Sequence, residues 1–369
     1  VSVPLPDWIV SAVMVAAAGA TRGRDAAGWD SNESVQQVSE ILGSECSRKA
    51  ARRRGSAFQP VRYNRRVRLP PRSAALALLC SLLVACGGDD EAGSSVTKFD
   101  YPRDADLRIN HLQAKGSHNS YHVEPEGMQI EALKYSHAPI GTQLAKQGVR
   151  KFELDTRWDD ELGEHYVVHI PLIDEVSNCR RFVDCLAAMA SWSMKNPGHH
   201  PLFVQIEPKD ALPADPEERF AALHAEILSK WPRDRVITPD DVRGSAATLR
   251  DAIVTGGWPT LGEARGKILF FVDESGPWRE AYTHGGKHLD GRLMFVDSEP
   301  GAAYEGTYVI NDPTSPEIGD VVKQGFIVRT RADSDNVEPL AGDTKKRDAA
   351  LASGAQVIST DYPAPVAGV

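Results

Sequence analysis

Glu153 and Asp155 stand two residues apart in Phe152-Glu153-Leu154-Asp155, a spacing that puts both carboxylates on one side of a β-strand. Two negative charges so placed repel each other unless a proton or a cation stands between them. Further oxygens come from other apolar segments with polar ends: Asn119 in Gly116-Ser117-His118-Asn119-Ser120-Tyr121 and Glu207 in Val204-Gln205-Ile206-Glu207. Three carboxylates and an amide oxygen suit a hard cation such as calcium, whereas zinc prefers nitrogen and sulfur. Two imidazoles accompany them, His118 beside Asn119 and His169 at the end of Tyr166-Val167-Val168-His169. Singly, each residue has an ordinary structural reading, since an acidic residue at a strand end is common. Together they supply charge stabilisation and proton transfer.

These residues meet only if the elements that carry them end at one place. From Asp104 to the C-terminus run roughly 265 residues, near the usual size of a (β/α)8 barrel. Apolar runs bounded by turn residues predict strands near 111–117, 149–156, 202–207, 267–273, 293–297, 307–310, 325–331 and 355–360. Helical segments fit at 139–147, 180–195, 216–230, 246–254 and 343–353. Eight such strands alternating with helices predict an α/β fold, a TIM-type barrel with a closed parallel sheet. Catalytic groups in that architecture sit at the C-terminal ends of strands, where the residues above fall.

The composition, with 41% hydrophobic and 25% charged residues, excludes a polytopic membrane protein and a wholly disordered chain. The net charge is −9, yet residues 1–85 carry 12 Lys/Arg against 6 Asp/Glu, which leaves −15 for the rest. A body so acidic argues against nucleic acid as a partner, because phosphate contacts need a basic surface. A divalent cation is compatible with it.

Arg65-Arg66-Val67-Arg68 and Arg72 precede the apolar run from Ser73 to Ala85, and Cys86 is followed by Gly87-Gly88-Asp89-Asp90-Glu91. A basic flank, a short apolar run and small residues before a cut form the pattern of a secretory signal. Leu83-Val84-Ala85-Cys86 is similar to a bacterial lipobox, so residues 65–85 are expected to be a lipoprotein signal peptide with lipidation at Cys86. The protein would then be exported and lipid-anchored to the cell envelope, at the outer membrane where one exists. Residues 86–104 would be a flexible tether with an average reach of about 20–25 Å, enough to turn the barrel's catalytic face toward a membrane. Residues 1–64 show no sustained periodicity and are expected to be a non-native or disordered upstream extension; the catalytic barrel spans 105–369. Cys179 and Cys185, six residues apart, are expected to form a short-loop disulfide in an oxidising compartment, with a reduced pair as the alternative.

The order His118-Asn119-Ser120-Tyr121, Glu153-Leu154-Asp155, His169 and Glu207 resembles the calcium-dependent phosphoinositide-type phospholipases C, in particular their bacterial branch. The resemblance spans the body of the chain and is most specific before residue 210. Val236-Ile237-Thr238-Pro239-Asp240-Asp241-Val242, leading to Gly266-Lys267-Ile268-Leu269, also looks like the family's entry into its fourth strand. The resemblance implies that His118 and His169 flank a phosphodiester and that Asn119, Glu153, Asp155 and Glu207 bind Ca2+. It further implies cleavage of a phosphatidylinositol-like lipid at a membrane surface by a monomer, giving diacylglycerol and a cyclic inositol phosphate. His118 would hydrogen-bond the phosphorane and His169 protonate the leaving oxygen; the base is left between Glu153 and Glu207. One Lys, Lys267, stands where animal enzymes of this type present a pair, which favours an unphosphorylated headgroup. Arg329 and Arg331 alternate on one strand and would either clamp the substrate or pair with site carboxylates. Glycerophosphodiester phosphodiesterases share the Glu-x-Asp pair and the later His but usually begin with His-Arg. A non-catalytic headgroup-binding lipoprotein would have no need of both histidines.

Overall fold

A computed structural model describes residues 100–367 and Val369. The signal segment, Cys86 and most of the tether lie outside the described residues. Among the described residues there are ten strands: β1 Ala114–Ser117, β2 Lys151–Asp159, β3 Glu164–Val167, β4 Leu202–Pro208, β5 Val236–Ile237, β6 Ile268–Val272, β7 Phe295–Val296, β8 Thr307–Val309, β9 Ile327–Arg331 and β10 Val357–Thr360. The sheet runs β6-β4-β2-β1-β10-β9-β8 with every neighbour parallel. The far edge of β6 is shared, β5 pairing with its first half and β7 with its second. A parallel bridge from Asp297 to Thr307 joins the end of β7 to β8 and closes a ring of eight parallel strands. All eight predicted strands are members of that ring. The two additional strands are β5 and β3, the latter folding back antiparallel onto β2 from Asp159↔Glu164 to Thr156↔Val167.

Helices close the outside. The five predicted helices appear as Ile140–Lys146, Phe182–Lys195, Pro216–Lys230, Leu249–Gly256 and Lys345–Ala352, joined by shorter ones. Phe182–Lys195 buries Phe182, Cys185, Leu186, Met189, Ala190 and Ser193, the i, i+3, i+4, i+7 stripe of a helix with one apolar face. Pro216–Lys230 starts at the N-cap Asp215, whose side chain accepts from the Glu218 N–H, with Pro at its first turn. The stripes of both helices share one core with the outward-facing strand residues Phe152, Leu154, Val204 and Ile206.

The alternate residues face into the barrel and are polar: Lys151, Glu153 and Asp155 on β2, Gln205 and Glu207 on β4, Arg329 and Arg331 on β9. Gly116 on β1 makes room for one of them. A Cβ there would lie 2.8 Å from Lys151 Cδ and 3.3 Å from the Ile358 carbonyl oxygen. At the opposite end of the strands, Arg265 pairs bidentately with Asp104 at 2.7 Å and stacks on Tyr101. The end of the segment read as tether is thus fixed to the barrel floor. No helix among the described residues is long and apolar enough to cross a membrane.

Candidate active site

The C-terminal ends of β2 and β4 run side by side, with Asp155 registered on Glu207 and Glu153 on Gln205. Ligand oxygens of Glu153, Asp155 and Glu207 lie within 4.8 Å of one another. Asn119 joins from the turn after β1, its backbone in the left-handed region at φ 41°, a conformation Asn adopts more readily than most residues. Asn119 Oδ1 and Asp155 Oδ1 are buried without a hydrogen-bond donor, and Asp155 Oδ2 has the Lys209 ammonium at 3.2 Å. Orphaned buried acceptors are rare and call for an explanation. A hard cation provides one, since every candidate ligand is an oxygen and three are carboxylates.

The existing positive charges are unevenly placed around this cluster. Glu153 is held by the fully buried Lys151 and by Arg329, whose guanidinium lies at 2.8 Å. Burial opposes ionisation of Glu153, but Arg329 and Lys151 outweigh it and hold its pKa well below the ordinary range. Lys151 is pushed down to about 7 by burial, against the attraction of Glu153. Glu207 is pushed upward by burial and by the charge of Asp155. Lys209 lies 3.2 Å from Asp155 Oδ2 and pairs with Glu207. Burial would lower the Lys209 pKa, but those two carboxylates raise it above the ordinary lysine value.

Each histidine is braced by a carboxylate of its own. His118 Nδ1 lies 2.7 Å from Asp361 Oδ1, and its Nε2 is 3.6 Å from Glu153. Burial and the neighbouring Arg331 depress the His118 pKa strongly, which favours the neutral ring. A neutral ring that donates Nδ1–H to Asp361 leaves the Nε2 lone pair open as an acceptor. His169 reaches the rim because β2 runs on to Asp159 and β3 returns. Its Nδ1 is 2.9 Å from Asp174 Oδ2, and the other oxygen of Asp174 takes His122 Nε2 at 2.9 Å. Arg157 donates to the His169 carbonyl at 2.9 Å.

The structure therefore gathers Asn119, Glu153, Asp155, Glu207 and His118 and brings His169 back beside β2. Arg329 and Arg331 each pair with a carboxylate, Glu153 and Asp361 respectively. Arg329 donates to Glu153, Ser359 and Asn311 through three of its five N–H groups. Arg331 lies 3.3 Å from Asp361 and keeps a buried Nε without a partner. Lys267 precedes β6, at the end of the barrel away from the site. Cys179 and Cys185 are disulfide-bonded at the start of Phe182–Lys195. Asp361, Asp174, His122 and Lys209 were missed from sequence. Asp361 follows β10 directly and Lys209 continues the alternation of Glu207, so strand-end position would have found both. Asp174 and His122 lie in loops and carry no such signal.

A closed parallel barrel with an oxygen cluster and two braced histidines at its C-terminal rim defines the class of barrel phosphodiesterases. The family model "Phosphoinositide phospholipase C, Ca2+-dependent" matches residues 107–167 and 163–368. The chain belongs to that family, a family of calcium-dependent phosphatidylinositol-specific phospholipases C, rather than to the glycerophosphodiester enzymes. Among solved structures it is similar to a Ca2+-dependent phosphatidylinositol-specific phospholipase C from Streptomyces antibioticus, at 21% identity and TM-score 0.51, covering 70% of this chain and 95% of that one. It is likewise similar to a calcium-dependent phosphoinositol-specific phospholipase C from a Gram-negative Pseudomonas sp., at 17% identity and TM-score 0.51, covering 73% and 96%. No curated protein sequence matches the chain.

Proposed function

We propose that this enzyme cleaves the glycerol–phosphate bond of phosphatidylinositol, an inositol hydroxyl attacking the phosphorus to give diacylglycerol and a cyclic inositol phosphate. The observation that carries this reading is the pair of histidines, each on its own buried carboxylate, at the rim that holds the orphaned oxygens of Asp155 and Asn119. Asn119, Glu153, Asp155 and Glu207 would hold calcium, which when bound supplies positive charge toward the phosphoryl group and acidifies a nearby hydroxyl. His118 Nε2 accepts the proton of the attacking hydroxyl while Asp361 keeps Nδ1–H oriented. Once protonated, the same nitrogen donates to the developing phosphorane oxygens, so His118 fills the base role left between Glu153 and Glu207. His169 delivers a proton to the departing glycerol oxygen, and Asp174 stabilises its cationic form. The distance of Lys267 from the rim supports an unphosphorylated ring as substrate. Diacylglycerol release from phosphatidylinositol in mixed micelles, with and without a calcium chelator, tests the reading. Release that stops on chelation supports it; release that continues unchanged contradicts it.

We infer as well that the protein is exported, cut before Cys86, lipidated there and monomeric. The basic flank, the apolar run and Leu83-Val84-Ala85-Cys86 support this. Mass spectrometry of the native protein tests it, because an unmodified peptide running through Cys86 is incompatible with the anchor.

A further inference from the structure

The three carboxylates of the proposed calcium site are already paired with basic side chains of the chain itself. Glu153, Asp155 and Glu207 are paired with three basic side chains, Lys151, Arg329 and Lys209. The three cations differ in their freedom to leave. Lys151 and Arg329 are buried inside the barrel and tied to Ser359 as well as to Glu153. The Lys209 side chain is 22% exposed and stands at the rim. Its backbone is fixed, since its N–H donates to the Thr156 carbonyl at 2.9 Å, so only the side chain is free to move. It lies 3.2 Å from Asp155 Oδ2 and leaves Oδ1 of that residue without a partner.

We propose that Lys209 is the resident cation of the calcium site, its ammonium holding Asp155 and Glu207 together until calcium displaces it, so that the enzyme's metal affinity is set by competition with its own lysine. The proposal rests on the reading of Asp155 and Glu207 as calcium ligands. A divalent ion added beside a retained lysine would set two cations against the same two carboxylates. Departure of the ammonium removes that repulsion and frees both carboxylates for the metal. An ordinary structural ion pair would instead support the free and loaded protein alike.

The test uses chelator-stripped full-length protein and its Lys209→Met variant, titrated with calcium chloride by calorimetry and melted with and without the metal. Lys209→Met is expected to bind calcium at least about tenfold more tightly. Without calcium it should melt at least about 3 °C lower than wild type, and with saturating calcium no lower. Wild-type protein gives a second readout. Reductive methylation of Lys209, followed by mass spectrometry, should proceed faster in saturating calcium than in chelator, and it decides the matter if the variant does not fold. Calcium binding by wild type with equal or weaker binding by the variant, or labelling of Lys209 that calcium does not speed, overturns the lysine exchange alone. Wild-type protein that binds no calcium overturns the ligand reading and the exchange together.

Discussion

Replacing Asp361 by Asn isolates the brace behind His118 with little change of shape. The carboxylate stands 2.7 Å from His118 Nδ1 and 3.3 Å from Arg331. When His118 takes up a proton, the ring becomes a cation beside a fixed anion. Unit charges about 4 Å apart interact by about 4 kcal/mol at an effective dielectric constant of about 20. Arg331 shares the same carboxylate and offsets a good part of that, leaving about 2–3 kcal/mol, the range of a charge-assisted hydrogen bond. At about 1.4 kcal/mol per tenfold, Asp361→Asn should lower kcat by about 30- to 150-fold. KM should change less than about threefold, since the cation forms only as the hydroxyl is deprotonated. Initial rates of diacylglycerol release at saturating calcium measure this, with the melting temperature as a check on folding. In a His118→Ala background the same substitution should add little, because the ring it serves is gone. A loss below threefold in wild type, or a full further loss in the His118→Ala background, would refute the argument.

His169→Ala should lower turnover of phosphatidylinositol by about 10² or more and recover most of it on a substrate with a nitrophenol leaving group; equal losses on both would remove His169 from the acid role. Asp155→Asn should weaken calcium binding and activity together, and full activity of wild type in excess chelator would count against the site. His224 is pushed down to about 4 by burial and by Arg292, so the folded state favours its neutral form. That contribution is complete above the unfolded value near 6.5 and is lost as the pH falls toward 4. At pH 4.5 wild type should therefore have lost about 2 kcal/mol that His224→Gln retains, measured by urea unfolding at pH 7.5 and 4.5. A wild-type-to-variant difference that stays constant between the two would exclude the burial account.

The ring of eight strands was legible because buried parallel strands read as continuous apolar runs, and Ile268–Val272 and Ile327–Val328 are such runs. β3 was not, because Glu164-His165-Tyr166-Val167 carries no such run and gains its partners only when β2 turns back on itself. β5, two residues long, gives periodicity nothing to register. In the site, the metal-ligand candidates were legible from spacing along single strands. The braces were not, because Asp361 reaches His118 across 243 residues of sequence and Asp174 reaches His169 from a loop. Arg329 shows the converse: alternation placed it correctly in the barrel, but its partner was set by Lys151, Glu153 and Ser359 filling the same polar interior.

The clip of Arg265 onto Asp104 and Tyr101 has a consequence for how the enzyme can be held. It lies on the floor of the barrel, beside the residues that precede β4 and β6, while the substrate enters at the roof. Any N-terminal attachment, whether a lipid, a fusion partner or a solid support, therefore grips the enzyme by its back and leaves the mouth clear. Fourteen residues separate Cys86 from Tyr101. However they are arranged, they cannot bridge more than about 50 Å. A domain of this size is itself about 45 Å across. A support joined at position 86 and facing the mouth would consume nearly that whole length, whereas a surface on the far side needs none of it. Immobilised through its N-terminus, the enzyme should meet vesicles presented from solution without hindrance.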